Sequence, residues 1–396
     1  MTRPDATNQV FRFRHLAELD GFRGLAVLFV VIGRYWEFRA PTAELRSLTQ
    51  HLAQLGVLLF FVLSGFLITG LLYRERALTG SISFKRFYIR RALRLLPPIF
   101  LFLSTVVILM RFRLVTDVTN TELLECLLYL RNIFGHSLTL GHLWSLALEE
   151  QFYLLWPITF LLLPLNRAAK IVAWVCAAFM LWRGVAIAIG LFPYEHGIYY
   201  VRPYFRFDSI LIGALVVLII SSSETAYGKL QRFVSVTSGT AFLLAAGVWY
   251  AVGEKVSRSL HITIAEILVA FLILHVAMDH KGLVAKLFRS KFLGYFGKIS
   301  YSLYLWQELF TPIEGPSWGA ARRLPWAFVI PIAISILSYH LMERPILQLK
   351  DRIAGEAHRR GPSTQIDSAA VGSIVTEPDS AGAERLKPAA TRSVNE

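Results

Sequence analysis

Apolar residues occur in long runs along this chain, and short polar or basic segments separate the runs. About 20 consecutive apolar residues form a helix that is long enough to cross the hydrocarbon core of a bilayer. The runs predict ten such helices, at residues 20–38, 51–73, 95–110, 143–165, 169–192, 209–221, 234–252, 262–279, 297–313 and 325–342. This pattern is typical of an all-α, polytopic membrane protein with about ten transmembrane helices.

The composition agrees with a chain that is embedded in a membrane. Of its 396 residues, 55% are hydrophobic and 17% are charged, and the mean hydropathy is +0.51. A soluble domain carries about 25% charged residues. The two cysteines, Cys126 and Cys176, lie in different sequence settings, so we expect neither a disulfide framework nor a cysteine-based metal site. We find no zinc-ligand spacing either and predict no metal site.

Basic residues concentrate in two of the segments between predicted helices, residues 74–94 and 281–291. Loops rich in Lys and Arg remain on the cytosolic side of a membrane. Because two helices precede the first basic loop and an even number is predicted in all, we expect both termini in the cytosol. The net charge of +14 is then explained by cytosolic loops, and a nucleic-acid partner is not expected.

Polar segments at both ends flank one long hydrophobic domain. We interpret residues 1–19, which are polar and basic, as a cytosolic lead-in. Residues 20–345 form the predicted membrane domain. Residues 346–396 are rich in Ala, Ser, Gly, Pro and charge. Such a composition cannot bury a core, so we predict a cytosolic and largely disordered tail.

The first predicted helix carries two arginines on nearly the same face. Arg23 and Arg34 are eleven residues apart, which is about three turns or roughly 16 Å along the axis. An arginine deep in a membrane costs at least about 2.5–3.5 kcal/mol, so Arg34 should face protein or a water-filled cavity. We predict a carboxylate or a bound anion within pairing reach of Arg34, with Glu149, Glu150 or Asp208 as the candidates.

The first basic segment carries another pair of arginines at helical spacing. Arg91 and Arg94 are three residues apart and therefore share one helix face. Each guanidinium presents parallel donors that suit phosphate oxygens. Spacing alone favours the alternative, in which the segment is a topology signal or contacts anionic lipid headgroups. Membrane lipids are expected partners in both cases.

Two adjacent carboxylates, Glu149 and Glu150, lie at the end of the fourth predicted helix. Neighbouring residues on a helix point about 100° apart, so the two groups cannot act as a close carboxylate pair. One is expected to face the cavity and the other a loop or a headgroup. Solvation of the helix end, or structural pairing with a buried arginine, is the alternative.

Several motifs together resemble the acyltransferase type 3 family of membrane proteins. In chain order they are Leu19–Ala26, Arg91 and Arg94 followed by Pro97, Trp144–Pro157, Arg206 with Asp208, Ile299–Gln307 and Glu343–Pro345. The resemblance implies transfer of an acyl group, with acetyl expected, from acyl-CoA to a hydroxyl of a saccharide or a lipid-linked, cell-envelope glycan. It also implies a bacterial cytoplasmic (inner) membrane protein that uses acyl-CoA as a donor substrate and holds no permanently bound cofactor.

The same resemblance implies roles for individual residues. The candidate catalytic residues are Arg34, Glu149 and Glu150. The residues expected to bind the phosphates of acyl-CoA are Arg91, Arg94, Arg86 and Arg23. The candidate substrate-binding residues are Tyr153, Arg206, Asp208, Tyr304 and Gln307. A structural ion pair is the favoured physical role of Arg206 and Asp208. Tyr304 and Gln307 form a polar stripe with Ser300, for which an interfacial aromatic belt is the alternative.

Two positions depart from the family pattern: Leu58, where many members carry aspartate or another polar residue, and Arg34. Most members carry a histidine, usually credited as the catalytic base, where this chain has Arg34. Arginine stays charged because its pKa is above about 12, so it cannot accept a proton, although it could stabilise an oxyanion or hold a phosphate. The base could be another residue, with Glu150 or Glu149 first and His142 next.

Two other classes of function remain open. The chain could be a binding or regulatory relative, or an inactive variant, that has lost catalysis. A glycan or lipid transporter is a further alternative, against which the sequence shows no pair of broken helices in matching halves.

Overall fold

The computed structural model describes residues 17–134, 137–191, 201–256, 260–278, 282–311 and 319–348. Regular structure within these ranges is entirely helical, which confirms the all-α prediction. The α-helices are α1 (Ala17–Glu37), α2 (Ala43–Thr79), α3 (Phe84–Arg111), α4 (Asn120–Leu127), α5 (Arg131–Phe134), α6 (Leu143–Leu162), α7 (Ala168–Ala188), α8 (Pro203–Ser222), α9 (Glu224–Val236), α10 (Gly239–Val256), α11 (His261–Met278), α12 (Leu283–Phe288), α13 (Lys291–Phe310) and α14 (Trp326–Ser338).

A helix lies at each of the ten predicted positions, namely α1, α2, α3, α6, α7, α8, α10, α11, α13 and α14. Among the described residues, six helical segments are long and apolar enough to cross a membrane, or seven if α9 and α10, bent by 80°, form one span. The first predicted helix, α1, is not among the six, and it carries Asp20, Arg23 and Arg34. The protein is thus an integral membrane protein, while a count of about ten spans stays a prediction.

Some of the predicted features lie outside the described residues. They include almost all of the lead-in and the tail, Lys281 in the second basic segment, and the expected helix ends at residues 192, 279 and 312–313.

The first basic segment is helical, and the prediction of a loop over residues 74–94 is wrong. Helix α2 continues to Thr79 and ends at Gly80, whose φ of 74° is left-handed. Helix α3 begins at Phe84 rather than at residue 95. Hydropathy marks only the apolar part of a helix, whereas Lys and Arg are good helix formers that extend it into polar surroundings.

Close contact between helices depends on small residues at two crossings. A Cβ atom added to Gly65 of α2 would lie 1.8 Å from the carbonyl oxygen of Ile210 in α8. A Cβ atom added to Gly213 of α8 would likewise lie 1.8 Å from the carbonyl oxygen of Val62 in α2. At the crossing of α1 and α13, Cβ atoms added to Gly24 and Gly297 would lie 2.0 and 1.8 Å, respectively, from backbone atoms of the facing helix. Small residues allow such approach between membrane helices, so α1 lies directly against α13.

We expect Gly213→Ala to destabilise the protein, because backbone atoms cannot move aside as a flexible side chain can. Overpacking of this kind lowers the free energy of unfolding by about 1–3 kcal/mol. The measurement is thermal unfolding of the detergent-purified protein. Gly184→Ala in α7 is the matched control, because no atom lies within 4 Å of its added Cβ. Equal unfolding temperatures for the two variants would contradict the prediction.

Candidate active site

A cleft of about 650 Å³, called here the inner cleft, opens between α1, α2, α3, α6 and α13. The side chains that line it are Arg23, Val57, Phe60, Phe61, Ser64, Arg91, Arg94, Leu95, Ser145, Leu146, Glu149, Tyr153, Ser300, Tyr301 and Tyr304. Three of them are arginines and one, Glu149, is a carboxylate, so the lining carries an excess of positive charge. The helical spacing of Arg91 and Arg94 brings both into this cleft.

Aromatic groups position the arginines of the inner cleft. The guanidinium carbon of Arg91 lies 4.2 Å from the centre of the Tyr153 ring, in cation–π geometry. Tyr301 donates a hydrogen bond of 2.9 Å to the carbonyl oxygen of Leu95 and so fixes α3 against α13. Arg86, in contrast, is exposed in the first turn of α3 and does not line the cleft.

The Glu149 carboxylate is held by hydroxyl groups on two helices. Ser64 of α2 donates to Oε1 at 3.0 Å, and Tyr153, one turn further along α6, donates towards Oε2 at 3.3 Å. The Tyr153 hydroxyl also lies 2.9 Å from the Ser64 hydroxyl. The three groups form a closed triangle that orients the carboxylate towards the arginines of the inner cleft.

Glu150 faces a different part of the molecule. It lines a separate crevice of about 750 Å³ together with Tyr129, Gln151 and Leu154. Arg91 and Tyr153 line both spaces. The two adjacent glutamates therefore do not meet, as their positions on one helix require.

A second space of about 920 Å³, called here the outer pocket, adjoins the inner cleft. Its lining consists of Val30, Arg34, Glu37, Gln50, Ala53, Gln54, Val57, Gly141, His142, Trp144, Val201 and Tyr304. Val57 and Tyr304 line both spaces, so these two side chains mark the junction. Helix α1 thus carries Arg23 in one space and Arg34 in the other.

The guanidinium of Arg34 is bound by two carboxylates. Its Nη2 and Nε atoms donate to the two oxygens of Glu308 in α13, and Nη1 donates to Glu37 at 2.5 Å. The prediction of a paired carboxylate is confirmed, but the candidates Glu149, Glu150 and Asp208 are wrong. Packing of α1 on α13 places Glu308 opposite Arg34, and Glu37 lies one turn along the same helix.

Two residues of the polar stripe of α13 line the inner cleft and the third does not. Ser300 and Tyr304 line the inner cleft, whereas Gln307 is buried and donates to Glu308 at 2.8 Å. The Tyr304 hydroxyl contacts the Ser145 hydroxyl and donates to the carbonyl oxygen of His142 at 2.8 Å. Tyr304 therefore ties α13 to the start of α6 at the junction.

Arg206 and Asp208 line neither space. Asp208 pairs at 3.0 Å with Arg183 of α7, which also approaches Glu266 of α11 at 3.4 Å. The guanidinium of Arg206 lies 5.7 Å from the ring of Phe61. An ion pair between Arg206 and Asp208 does not form, because residues two apart on a helix do not face each other.

Sequence reasoning missed several residues of the site. Glu308 is fully buried within an apolar helix, and an ionisable residue in such a helix is itself a signal of function. The signal for Glu37 is its spacing of three residues from Arg34. Ser64 and Ser145 carry no comparable signal.

The described residues contain no cluster of His, Cys, Asp and Glu that could hold a metal ion.

Comparison with known families identifies the class of protein. The sequence profile of the acyltransferase domain matches residues 16–340 of this chain. The match covers most of the chain, which therefore belongs to this acyltransferase family. The resemblance that the sequence motifs indicate is confirmed.

Several relatives are 28% identical to this chain, with matches that cover 84% of it. They include "Putative O-acetyltransferase SACOL0978" of Staphylococcus aureus strain COL, "Putative peptidoglycan O-acetyltransferase YrhL" of Bacillus subtilis strain 168 and "O-acetyltransferase OatA" of Staphylococcus aureus strain NCTC 8325. The matches cover 58%, 55% and 57% of these relatives, so the chain spans little more than half of their length. No solved structure matches the chain.

Proposed function

We propose that this protein is a membrane O-acyltransferase that moves an acetyl group from acetyl-CoA to a hydroxyl of a saccharide or cell-envelope glycan. The observation that carries the proposal is the inner cleft with three arginines, joined at Tyr304 to an outer pocket lined by polar groups. Family membership and the O-acetyltransferase names of the relatives support the same reaction.

The inner cleft suits the donor. Coenzyme A carries several phosphate groups, and guanidinium groups bind phosphate through paired, charge-assisted hydrogen bonds. Within the described part of the chain, this cleft has three such groups, from Arg23, Arg91 and Arg94, and the single carboxylate of Glu149. Arg86 lies outside the cleft and is not part of the proposed donor site.

The outer pocket suits a saccharide acceptor. Gln50 and Gln54 present amide groups that both donate and accept hydrogen bonds, as sugar hydroxyls do. Trp144 and Tyr304 add aromatic surface to the same pocket. In this arrangement the acceptor hydroxyl reaches the junction from one side and the thioester from the other. Tyr153 belongs to the donor side, where it orients Glu149 and Arg91.

Both termini are proposed to lie in the cytosol of a bacterial cell, with the inner cleft facing the cytosolic side of the inner membrane. The basic residues of α3 and of the segment around α12 support this orientation. Reporter fusions after Arg90, after Lys286 and at the C-terminus should all report cytosol. A periplasmic signal after Lys286 contradicts the arrangement of ten spans.

The direct test is transfer of radiolabelled acetyl groups. Membrane vesicles that carry this chain are incubated with labelled acetyl-CoA and a saccharide acceptor, and vesicles without the chain serve as the control. We expect chain-dependent, ester-linked label in the saccharide fraction.

A second candidate function is binding of acyl-CoA without transfer. The observation that favours it is the locked state of Arg34, whose guanidinium is held by two carboxylates and cannot accept a proton. Acetyl-CoA binding with no labelled saccharide supports this alternative over the transferase.

A further inference from the structure

His142 lies in the outer pocket, next to Tyr304 of the junction and immediately before α6. Its side chain lines the outer pocket beside Arg34 and Tyr304, and the residue is 5% exposed. The imidazole packs between aromatic rings, with ring centres 5.6 Å from Phe102 and 5.5 Å from Tyr304. Both ring nitrogens are buried, and among the residues that the structure describes no side chain forms a hydrogen bond with either of them.

The backbone of His142 is held firmly, and its ring also approaches the backbone carbonyl oxygen of Leu305. The His142 carbonyl oxygen accepts hydrogen bonds from Tyr304 at 2.8 Å and from Ser145 at 3.2 Å. Both donors line the inner cleft. These bonds fix the imidazole beside the point at which the donor and acceptor spaces meet.

Three charged groups act on the imidazole. Burial disfavours a positive charge on the ring and has the largest effect on the pKa of His142; the carboxylate of Glu308 favours that charge, and Arg34 and Arg131 oppose it. Glu308 is anchored by Arg34 and Gln307 and therefore has a fixed position. A carboxylate fixed near an imidazole can stabilise the imidazolium that proton transfer creates.

We infer that His142 is the general base of the reaction, and this inference rests on the proposed transferase function. The imidazole accepts the proton of the acceptor hydroxyl while the hydroxyl oxygen attacks the thioester carbonyl carbon. A carbon–oxygen bond forms and the carbon–sulfur bond breaks. The imidazolium then returns its proton to the CoA thiolate, so that the products are the ester and free CoA.

Other candidate bases are engaged elsewhere. Glu149 accepts hydrogen bonds from Ser64 and Tyr153 and lines the inner cleft but not the outer pocket. Glu37 and Glu308 are both bonded to Arg34. Of the histidines in the described part of the chain, His142 is the one that lines either space. Burial lowers the pKa of His142, so its imidazole is neutral and can accept a proton at neutral pH.

The test compares His142→Gln with the parent protein in the acetyl-transfer assay. We expect kcat to fall by about 10²–10⁴-fold, the contribution of a positioned base, with unchanged binding of acetyl-CoA and unchanged thermal unfolding. His275→Gln is the matched control. His275 is also buried, but it lies in α11 with its Nε2 atom 2.8 Å from Thr237 and lines neither space.

A second variant separates chemistry from structure. Imidazole added to His142→Gly should restore part of the transfer rate, which a purely structural role would not allow. Normal kcat in a folded His142→Gln protein overturns the inference and leaves the transferase function standing. The inference is also overturned, and the transferase function again left standing, if kcat falls, imidazole does not restore it and thermal stability is lowered. Absence of transfer by the parent protein overturns the transferase function itself.

Discussion

Replacement of Arg34 by methionine is expected to lower the free energy of unfolding by about 3–5 kcal/mol, the range for breaking a buried ion pair by removal of one partner. The Glu308 side chain is 0% exposed, and Arg34 donates to both of its oxygens. Without the guanidinium, the buried Glu308 carboxylate loses its ion-pair partner and, within the described part of the chain, keeps only the hydrogen bond from Gln307. Denaturation of the purified protein in detergent measures the loss.

Two further variants make this prediction specific. Arg34→Met combined with Glu308→Met should recover much of the stability, because removal of both charges leaves no buried carboxylate at Glu308. Arg39→Met is the control, since Arg39 is exposed just beyond α1. If Arg34→Met unfolds like the parent protein, the ion pair is not a determinant of stability.

The rate of acetyl transfer by the Arg34→His variant distinguishes two interpretations of position 34. If Arg34 occupies the place of a lost base, a histidine there should raise the rate by about 10²–10⁴-fold. We expect a lower rate instead, because an imidazole cannot donate to Glu308 and Glu37 at three points as the guanidinium does.

Replacement of Arg91 or Arg94 by alanine is expected to weaken acetyl-CoA binding by about 1.5–3 kcal/mol each, the range for charge-assisted hydrogen bonds. This corresponds to roughly a 10- to 150-fold increase in Kd for each arginine. Both guanidinium groups line the inner cleft, where Glu149 is the single carboxylate among the residues that the structure describes. Calorimetric titration of the purified protein with acetyl-CoA measures the change.

The control for this series is Arg74→Ala, which removes an exposed arginine near the end of α2. It should leave the Kd unchanged. When the ligand is a CoA analogue that lacks one phosphate, the increase in Kd should become smaller for one of the two arginine replacements than for the other. An unchanged binding isotherm for the double variant Arg91→Ala/Arg94→Ala would contradict the prediction and favour a role of these residues in membrane topology.

The sequence by itself determined the helices and the family. Hydrophobic runs place a helix at each predicted position because helix formation and membrane insertion depend on local composition and length. The spacing of Arg91 and Arg94 likewise fixes their common face, since helical geometry alone decides it. The same geometry separates Glu149 from Glu150. The start of α3 was missed because hydropathy does not detect a helix that continues through basic residues.

The tertiary structure alone decided which distant groups meet. Arg34 pairs with Glu308, 274 positions away, because glycines at the crossing bring α1 onto α13. Asp208 pairs with Arg183 of a neighbouring helix rather than with the arginine two residues before it. The place of His142 beside Tyr304 depends on the contact of α6 with α13. Such contacts depend on how helices pack, and the periodicity within one helix carries no information about its partner.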